Sequence, residues 1–235
     1  MKKSDPAPKL SISFLIPAYN DRETIGEVVR ESDEMGKRHA GSYEIIVIND
    51  ASPDGTAAEL TKLSKRYRKL RVITHMVNKG YGETIRELYY AGSQDWLFTV
   101  PGDYQIPPVE LEKLLPYQNE ADMIIGWRSN RQDPPARLRQ SRIYNLLLRL
   151  MFGLRLHDVN SVRLMKSSVM KSVKLKSVSA FADAELALES RSQGFRIIEV
   201  PIGHRARQAT GAGGGKLGTI LPVIREMLMR FILWQ

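Results

Sequence analysis

The feature that most constrains the fold is a regular alternation of strand-like and helix-like segments through the first half of the chain. Short apolar runs typical of buried strands occur at residues 11–20, 43–50, 70–76, 95–100 and 121–127. Between them, apolar residues recur at helical spacing, as in Ile25, Val28 and Val29. Because such alternation with short loops is typical of βαβ units, we predict an α/β fold with a mainly parallel central sheet flanked by helices.

Composition narrows the class of protein. The 235 residues include no cysteine, which excludes a disulfide framework, a thiolate metal site and a cysteine nucleophile. The formal net charge of +9 predicts an anionic partner: a phosphorylated substrate, a lipid surface or a nucleic acid. Residues 1–10 lack the apolar core of a secretory signal and are predicted to be a disordered lead. No uncharged apolar run reaches the roughly 18–20 residues of a spanning helix, so the chain can lie on a membrane but is not expected to cross one.

Polar and glycine residues cluster where the predicted strands end. The groups are Pro17–Asn20, Asn49–Asp50, Asn78–Gly82, Asp103–Gln105 and Arg128. In open parallel sheets, ligands bind outside the carboxyl ends of the strands. This edge of the sheet is therefore the predicted ligand site, independently of any family resemblance.

Asp103 and Gln105 follow a buried strand on a turn that Gly102 makes possible. A carboxylate and an amide oxygen two residues apart can both face Mg²⁺ or Mn²⁺, with diphosphate oxygens completing the coordination shell. The alternative interpretation is a solvated turn capped by the aspartate.

Two further groups are candidates for nucleotide contacts. Asp50, with Asn49, could bind a base N–H or a ribose hydroxyl, or it could form a simple Asx-turn. Lys79, with Gly80 and Gly82, is typical of a loop that approaches a phosphate or a base. No Walker sequence is present and no G-x-G-x-x-G follows the first strand, which disfavours P-loop and dinucleotide-binding proteins.

Two segments of the second half combine basic and apolar residues. Residues 137–155 carry five arginines among leucines, and residues 217–235 follow a glycine-rich stretch and contain Arg225, Glu226 and Arg230. The pattern is typical of helices at a membrane interface, although core-packing helices with solvated basic faces would share it. The last segment is too apolar to be free, so we expect it to dock on a membrane, on the rest of the chain or on a second copy in a homo-oligomer.

Six blocks of the sequence, in order, resemble those of family 2 glycosyltransferases with the GT-A fold, and above all the polyprenyl-phosphate (dolichyl- or undecaprenyl-phosphate) sugar transferases. The blocks are FLIPAYNDRETIGEVV, EIIVINDASPDGT, NKGYGETIR, PGDYQIPP, MIIGWRSNRQDPPARLRQSRIYNLLLRLMFGLRLHDV and GFRIIEVPIGHRARQATG. Each block alone is weak evidence, but six in the right order and spacing are specific. The resemblance covers about residues 11–212. We therefore predict a disordered lead (1–10), a GT-A glycosyltransferase domain (11–212), and a glycine-rich link with an amphipathic basic C-terminal helix (213–235).

The resemblance implies a nucleotide site with a Mg²⁺ or Mn²⁺ ion. The residues that match its nucleotide-contacting positions are Pro17, Ala18, Tyr19, Asn49, Asp50, Lys79, Gly80, Gly82, Gly102 and Asp103. Asp103 and Gln105 match the second aspartate and the glutamine of the metal motif. The sequence departs from the family at Pro101, which replaces the first aspartate of that motif, at Asn49, and in DVNSVRLMK, which lacks a glycine–aromatic pair.

The resemblance also implies the reaction. A hexose moves from a nucleoside diphosphate sugar, UDP- or GDP-linked, to a polyprenyl phosphate, with inversion, on the cytoplasmic face of a membrane to which the protein is peripherally bound. Arg128 matches a phosphate-contacting arginine, and Arg142 and Arg207 match basic positions near the acceptor phosphate. Because a phosphate monoester is largely dianionic at neutral pH, it needs positioning by arginines, among them Arg131, more than it needs a strong base.

Three alternatives remain open from the sequence. The acceptor could be a saccharide hydroxyl, with Asp183 or Glu185 as the base, although both also suit helix-start carboxylates. The chain could be a non-catalytic or atypical relative, as Pro101 suggests. A basic nucleic-acid-binding protein is the remote alternative, and we expect no nucleic-acid partner because the known recognition motifs are absent from the sequence.

Overall fold

The computed structural model describes residues 10–206 and 217–233. Within these ranges the strands are β1 (Leu10–Ala18), β2 (Ala40–Asn49), β3 (Leu70–Thr74), β4 (Trp96–Thr99), β5 (Met123–Arg128), β6 (Arg163–Lys166) and β7 (Ile197–Ile202). The helices are α1 (Ile25–His39), α2 (Thr56–Arg66), α3 (Tyr81–Ala91), α4 (Leu111–Leu114), α5 (Pro135–Phe152), α6 (Ser167–Ser172), α7 (Ala182–Ser192) and α8 (Leu217–Leu233). The predicted lead up to residue 9, and Arg207, lie outside the described residues.

All seven described strands form one sheet in the order β3-β2-β1-β4-β6-β5-β7. β1 lies between β2 and β4, and Phe14 is in register with Ile45 and Phe98. The described pairings are parallel except those of β6, which runs antiparallel to both β4 and β5. The predicted α/β fold with a mainly parallel sheet is confirmed. The antiparallel insertion of β6 was not predicted, because its four residues carry no signal of strand direction.

The central strands are buried on both faces of the sheet, which explains why their sequences are continuous apolar runs. On one face, Phe14 and Ile16 of β1 belong to a cluster with Val28 of α1. On the other face, Leu15 belongs to a cluster with Leu88 of α3. The helices thus cover both sides of the sheet, and the carboxyl ends of the parallel strands open at one edge.

The C-terminal helix α8 packs onto the rest of the protein. Its Met227 is buried in a third apolar cluster that joins α5, α7 and α8. Phe231 meets Phe152 of α5 edge to face, with ring centroids 5.8 Å apart. Of the helices in the described ranges, none combines the length and the apolar character that a membrane crossing requires.

Residues 109–117, with the helix-like sequence VELEKLLPY, do not form one continuous helix. They form the 3-10 turn Pro108–Glu110, the single helical turn α4 and a second 3-10 turn, Leu115–Tyr117. Pro116 explains the interruption, because proline has no N–H to donate and its ring crowds the preceding helical turn.

Candidate active site

The ends of β1 and β4 are locked together where the site begins. Gly102 donates its N–H to the carbonyl of Pro17 at 3.2 Å, and Thr24 donates its hydroxyl to the carbonyl of Gly102 at 2.7 Å. A Cβ at Gly102 would lie 2.9 Å from the backbone carbonyl oxygen of Pro17 and 2.6 Å from Oδ2 of Asp21. That carboxylate oxygen also accepts the N–H of Tyr19 at 2.9 Å. Glycine is therefore required at position 102 by this close approach.

Asp50 is a buried anchor for the loop before α3. Its Oδ1 accepts the N–H of Lys79 at 2.8 Å, and its Oδ2 accepts the N–H of Gly80 at 2.9 Å. Gly80 has a φ of +83°, a left-handed conformation that suits glycine. The neighbouring Asn49 accepts the N–H of Ser52 with its Oδ1 at 3.3 Å. The structure thus brings the predicted residues 49–50 and 79–82 together, with Asp50 shaping the loop.

His75 is a residue of this cluster that the sequence analysis missed. It follows β3 directly, and its ring nitrogens lie 2.7 Å from Oδ1 of Asp50 and 2.9 Å from Oε2 of Glu87. Lys79 reaches the same Glu87 oxygen at 3.3 Å. Burial raises the pKa of Glu87, but its hydrogen bonds with His75 and Lys79 outweigh this effect and lower the pKa overall. The position of a histidine at a strand end was the available signal.

The Asp103–Gln105 turn lies at the end of β4. Oδ1 of Asp103 accepts the N–H of Gln105 at 3.0 Å, and Tyr104 between them has a φ of +58°. The carbonyl of Gln105 accepts the N–H of Arg205 at 2.8 Å, and the Arg205 guanidinium lies 4.5 Å from the centre of the Tyr104 ring. The segment after β7 therefore holds this turn in place.

The donor set of this turn fits a divalent ion that arrives with a diphosphate. Among residues 10–206 and 217–233, no group of three or more histidines or carboxylates could hold a metal alone. Pro101 contributes no side-chain ligand, which leaves the Asp103 carboxylate and the Gln105 amide. Mg²⁺ is typically held by one or two carboxylates together with substrate phosphates and water, and this donor set suits that arrangement.

Three arginines converge near the turn; we call Arg128, Arg131 and Arg137 the arginine cluster. Nε and Nη2 of Arg128 donate to the two oxygens of Asp158, at 2.6 and 2.7 Å. Arg131 pairs with Asp133 through Nη2 at 2.7 Å, and Arg137 pairs with the same carboxylate at 3.3 Å. Burial, the largest effect, lowers the pKa of Arg137 overall. The charge of the nearby Asp103 acts in the opposite direction and raises it. Two buried aspartates thus hold three guanidinium groups beside the candidate metal turn.

His204 completes this cluster and was also missed by the sequence analysis. Its Nδ1 accepts the backbone N–H of Gln132 at 3.0 Å, and its Nε2 lies 3.9 Å from Oδ2 of Asp133. Burial lowers the pKa of His204, and the charge of Arg128 lowers it further. The lowered pKa favours the neutral ring, and because Nδ1 accepts a hydrogen bond, the neutral ring carries its proton on Nε2.

The structure separates Arg142 from the arginine cluster. Arg142 is exposed on α5 and makes no hydrogen bond or ion pair with the residues that the structure describes. The adjacent Ser141 instead accepts a hydrogen bond from Nη1 of Arg131 at 2.7 Å. Of the predicted phosphate-binding residues, Arg128 and Arg131 are thus together, Arg142 is free to move at the surface, and Arg207 is not described.

Asp183 and Glu185, the two candidate bases, are both buried and engaged. Asp183 accepts the hydroxyls of Tyr81 and Tyr89 at 2.8 Å each and pairs with Nη2 of Arg163 at 2.9 Å. Glu185 accepts the N–H groups of residues 176 and 177 at 2.9 and 2.8 Å. Both carboxylates are therefore occupied by hydrogen bonds and an ion pair within the protein. This geometry does not favour a saccharide hydroxyl acceptor, which would need one of them as a base.

The fold and the strand-end cluster define an α/β protein of the GT-A class, and comparisons with known proteins agree. The glycosyl transferase family 2 model matches residues 13–179, more than half of the chain. This chain belongs to glycosyl transferase family 2.

Curated relatives include the undecaprenyl-phosphate 4-deoxy-4-formamido-L-arabinose transferases of Salmonella choleraesuis (strain SC-B67) and Salmonella newport (strain SL254). Each is 31% identical over 157 residues, which are 66% of this chain and 48% of the relative. The chain thus spans about half the length of these relatives.

Solved structures with the same fold include glucosyl-3-phosphoglycerate synthase from Mycobacterium tuberculosis with phosphoglyceric acid. It has a TM-score of 0.74 at 19% identity, covering 94% of this chain and 80% of that one. The same enzyme with Mn²⁺, UDP and glucosyl-3-phosphoglycerate has a TM-score of 0.72 at 18% identity, with the same coverage. At these identities the likeness establishes the fold, and the predicted GT-A fold is confirmed.

Proposed function

We propose that this protein transfers a hexose, with inversion, from a nucleoside diphosphate sugar to a polyprenyl phosphate at a membrane surface. The observation that carries the proposal is that the Asp103 turn and the arginine cluster lie near each other at one edge of the sheet. Both candidate bases near that edge, Asp183 and Glu185, are engaged elsewhere. A phosphate acceptor needs cations more than it needs a base, and the site supplies cations.

The donor is proposed to bind over the ends of β1, β2 and β4. Asp50 accepts the N–H groups of Lys79 and Gly80 and so fixes the loop, whose outer surface and lysine side chain would line one side of the nucleotide. Asp103 and Gln105 would hold a Mg²⁺ or Mn²⁺ ion, which would neutralise the charge that develops on the departing nucleoside diphosphate. The related curated transferases act on undecaprenyl phosphate by name, and UDP with Mn²⁺ is bound in a solved GT-A structure.

The acceptor phosphate is proposed to bind at the arginine cluster. Arg128 and Arg131 are aligned by Asp158 and Asp133, so less side-chain entropy is lost when they bind a phosphate. The exposed Arg142, and Arg207, would add further contacts to the phosphate when the lipid binds. Aligned guanidinium groups suit phosphate oxygens because they donate in pairs.

A membrane surface is proposed to contact α5 and α8. Both helices combine exposed apolar side chains with exposed arginines. The apolar set is Ile143, Leu146 and Leu150 of α5 with Leu221, Ile224, Leu228 and Ile232 of α8. The basic set is Arg139, Arg142, Arg149 and Arg225. This pattern suits anionic lipid, and it supports peripheral attachment on the cytoplasmic face.

A transfer assay tests the proposal. The purified chain is incubated with Mn²⁺, a panel of UDP- and GDP-sugars, and undecaprenyl phosphate in detergent. The expected result is a sugar-linked lipid phosphate with one of the donors, together with thermal stabilisation by that donor. Saccharides with free hydroxyls serve as competing acceptors. Glycosylation of a saccharide with no lipid product would contradict the lipid assignment, and absence of nucleotide binding would favour a non-catalytic relative.

A further inference from the structure

Glu226 of α8 clamps a segment that lies between the C-terminal helix and the nucleotide loop. Its Oε1 accepts the N–H of Val178 at 3.0 Å. Its Oε2 accepts the N–H of Ser179 at 3.3 Å and the hydroxyl of Ser179 at 2.6 Å. One half-buried carboxylate thus binds three donors of residues 178–179, which we call the clamp segment. Hydrogen bonds to an ionised acceptor are among the stronger ones in proteins.

The opposite side of the clamp segment touches α3. The Cα of Gly82 is so close to this segment that a Cβ there would overlap the carbonyls of Ser179 and Val178. Gly82 lies in the first turn of α3, directly after the loop that Asp50 holds through the N–H groups of Lys79 and Gly80. A shift of the clamp segment toward α3 would therefore displace the start of α3, because the packed backbone leaves no space to absorb it.

A contiguous path thus runs from α8 to the nucleotide loop through Glu226, the clamp segment and Gly82. At its far end, α8 exposes Leu221, Ile224 and Leu228 to the surroundings. Nothing in the glycosyl-transfer chemistry requires α8 to contact the clamp segment, yet the structure connects them with three hydrogen bonds. A helix with exposed apolar side chains is in this way linked to the loop that is proposed to contact the donor.

We propose that Glu226 is a positioning residue that couples docking of α8 on an anionic lipid surface to the affinity of the nucleotide site. The inference rests on the proposed function. Coupling between two sites is reciprocal, so lipid strengthens nucleotide binding and nucleotide strengthens lipid binding by the same factor. The enzyme then holds its donor most tightly where its lipid acceptor is present.

The substitution Glu226→Gln tests the clamp with little change of shape. Glutamine keeps one acceptor oxygen but turns an amide N–H₂ toward the donors of the clamp segment. Arg230→Gln is the matched control, because Arg230 pairs with Glu189 of α7 and so ties α8 to the protein at a different place. Ser179→Ala removes one of the three donors to Glu226, together with the acceptor of the Phe181 N–H, and serves as a second variant.

The experiment titrates UDP and GDP into the full chain with Mn²⁺, with and without vesicles containing anionic lipid. We expect vesicles to tighten nucleotide binding by at least about fivefold in the wild type and in Arg230→Gln, a factor at the lower end of common coupling energies. In Glu226→Gln the factor should fall to near one while vesicle binding persists, and in Ser179→Ala it should be intermediate. Amide exchange at residues 79–84 should increase in Glu226→Gln and stay at the wild-type level in Arg230→Gln.

The outcomes separate this inference from the proposed function. If the wild type binds neither nucleotide, the proposed function fails and the coupling fails with it. If the wild type binds nucleotide with the same affinity on and off vesicles, only the coupling is overturned. It is also overturned if Glu226→Gln keeps the wild-type factor, or if Arg230→Gln loses it equally, because a general loosening of α8 would then explain the effect.

Discussion

Arg128 and Asp158 form a bidentate ion pair in the candidate acceptor site, with N–O distances of 2.6 and 2.7 Å. The backbone N–H of Arg128 also donates to Asp158, at 3.3 Å. Burial lowers the pKa of Arg128, but the hydrogen bonds to Asp158 outweigh this effect and raise it overall. The pair fixes the direction of a guanidinium that belongs to β5 and would otherwise be mobile.

Breaking this pair from the aspartate side should destabilise the fold. Asp158→Asn leaves a buried guanidinium without its counter-charge, which typically costs about 3–5 kcal/mol in the free energy of unfolding. Urea unfolding measures the change. Asp158→Leu combined with Arg128→Leu is the control and should recover most of the loss, because no charge is left buried alone. A loss below about 1 kcal/mol in Asp158→Asn would show that the pair is not buried in solution.

Replacing Asp103 with alanine should remove the metal-dependent part of nucleotide binding. The Asp103 carboxylate is the only charged ligand proposed for the ion among the described residues, because Pro101 precedes it in place of a second carboxylate. Calorimetric titration of UDP and GDP with and without Mn²⁺ measures the effect. Glu120→Ala, at an exposed site, should behave as the wild type. Full Mn²⁺ dependence in Asp103→Ala would refute the assignment.

Removing the Asp50 carboxylate should weaken bare nucleotide and nucleotide sugar alike. Asp50→Ala frees the N–H groups of Lys79 and Gly80, so the loop loses two charge-assisted hydrogen bonds. Affinity should fall by about 1.5–3 kcal/mol for both ligands, and amide exchange at the loop should increase. Weaker binding of the nucleotide sugar with unchanged binding of the bare nucleotide would contradict this role.

Arg142→Lys should impair turnover with polyprenyl phosphate and leave donor binding unchanged. Lysine keeps the charge but cannot donate two aligned hydrogen bonds to a phosphate. The expected loss in kcat/KM for the lipid is about tenfold, the loss for one charged hydrogen bond. Arg149→Lys, exposed on the same helix, is the matched control. Equal losses in the two variants would assign both arginines to general attraction to lipid.

His204 should make the fold sensitive to mildly acidic pH. Its pKa lies below the usual value of 6.5 because of burial and the charge of Arg128. Its contribution to stability is therefore complete above about pH 6.5 and is lost as pH falls through the folded-state value, because the unfolded chain binds the proton first. Melting temperatures measured between about pH 5 and 7 should fall less in His204→Asn, whose Oδ1 replaces the Nδ1 acceptor. Parallel curves for the two proteins would refute this explanation.

The sequence by itself determined the alternating architecture, the strand ends and the residue types that gather there. These features are local, since apolar periodicity and turn residues act within a few positions of the chain. The candidate site residues from Pro17 to Arg128 could be chosen for the same reason: parallel strands must present their carboxyl ends at one edge. Their roles stay predictions, and neither Arg142 nor Arg207 is held in the arginine cluster by contacts that the structure describes.

Only the tertiary structure decided which partners those residues have. Asp158 meets Arg128, and Glu226 meets Ser179, across 30 and 47 positions of sequence. The same packing inserts β6 between β4 and β5 and engages Asp183 with two tyrosines and an arginine. Such contacts depend on how whole elements pack, and the sequence spacing of two residues carries no information about that packing. The sequence suggests Asp183 as a possible base. In the folded protein its carboxylate is instead occupied by two tyrosine hydroxyls and a buried arginine.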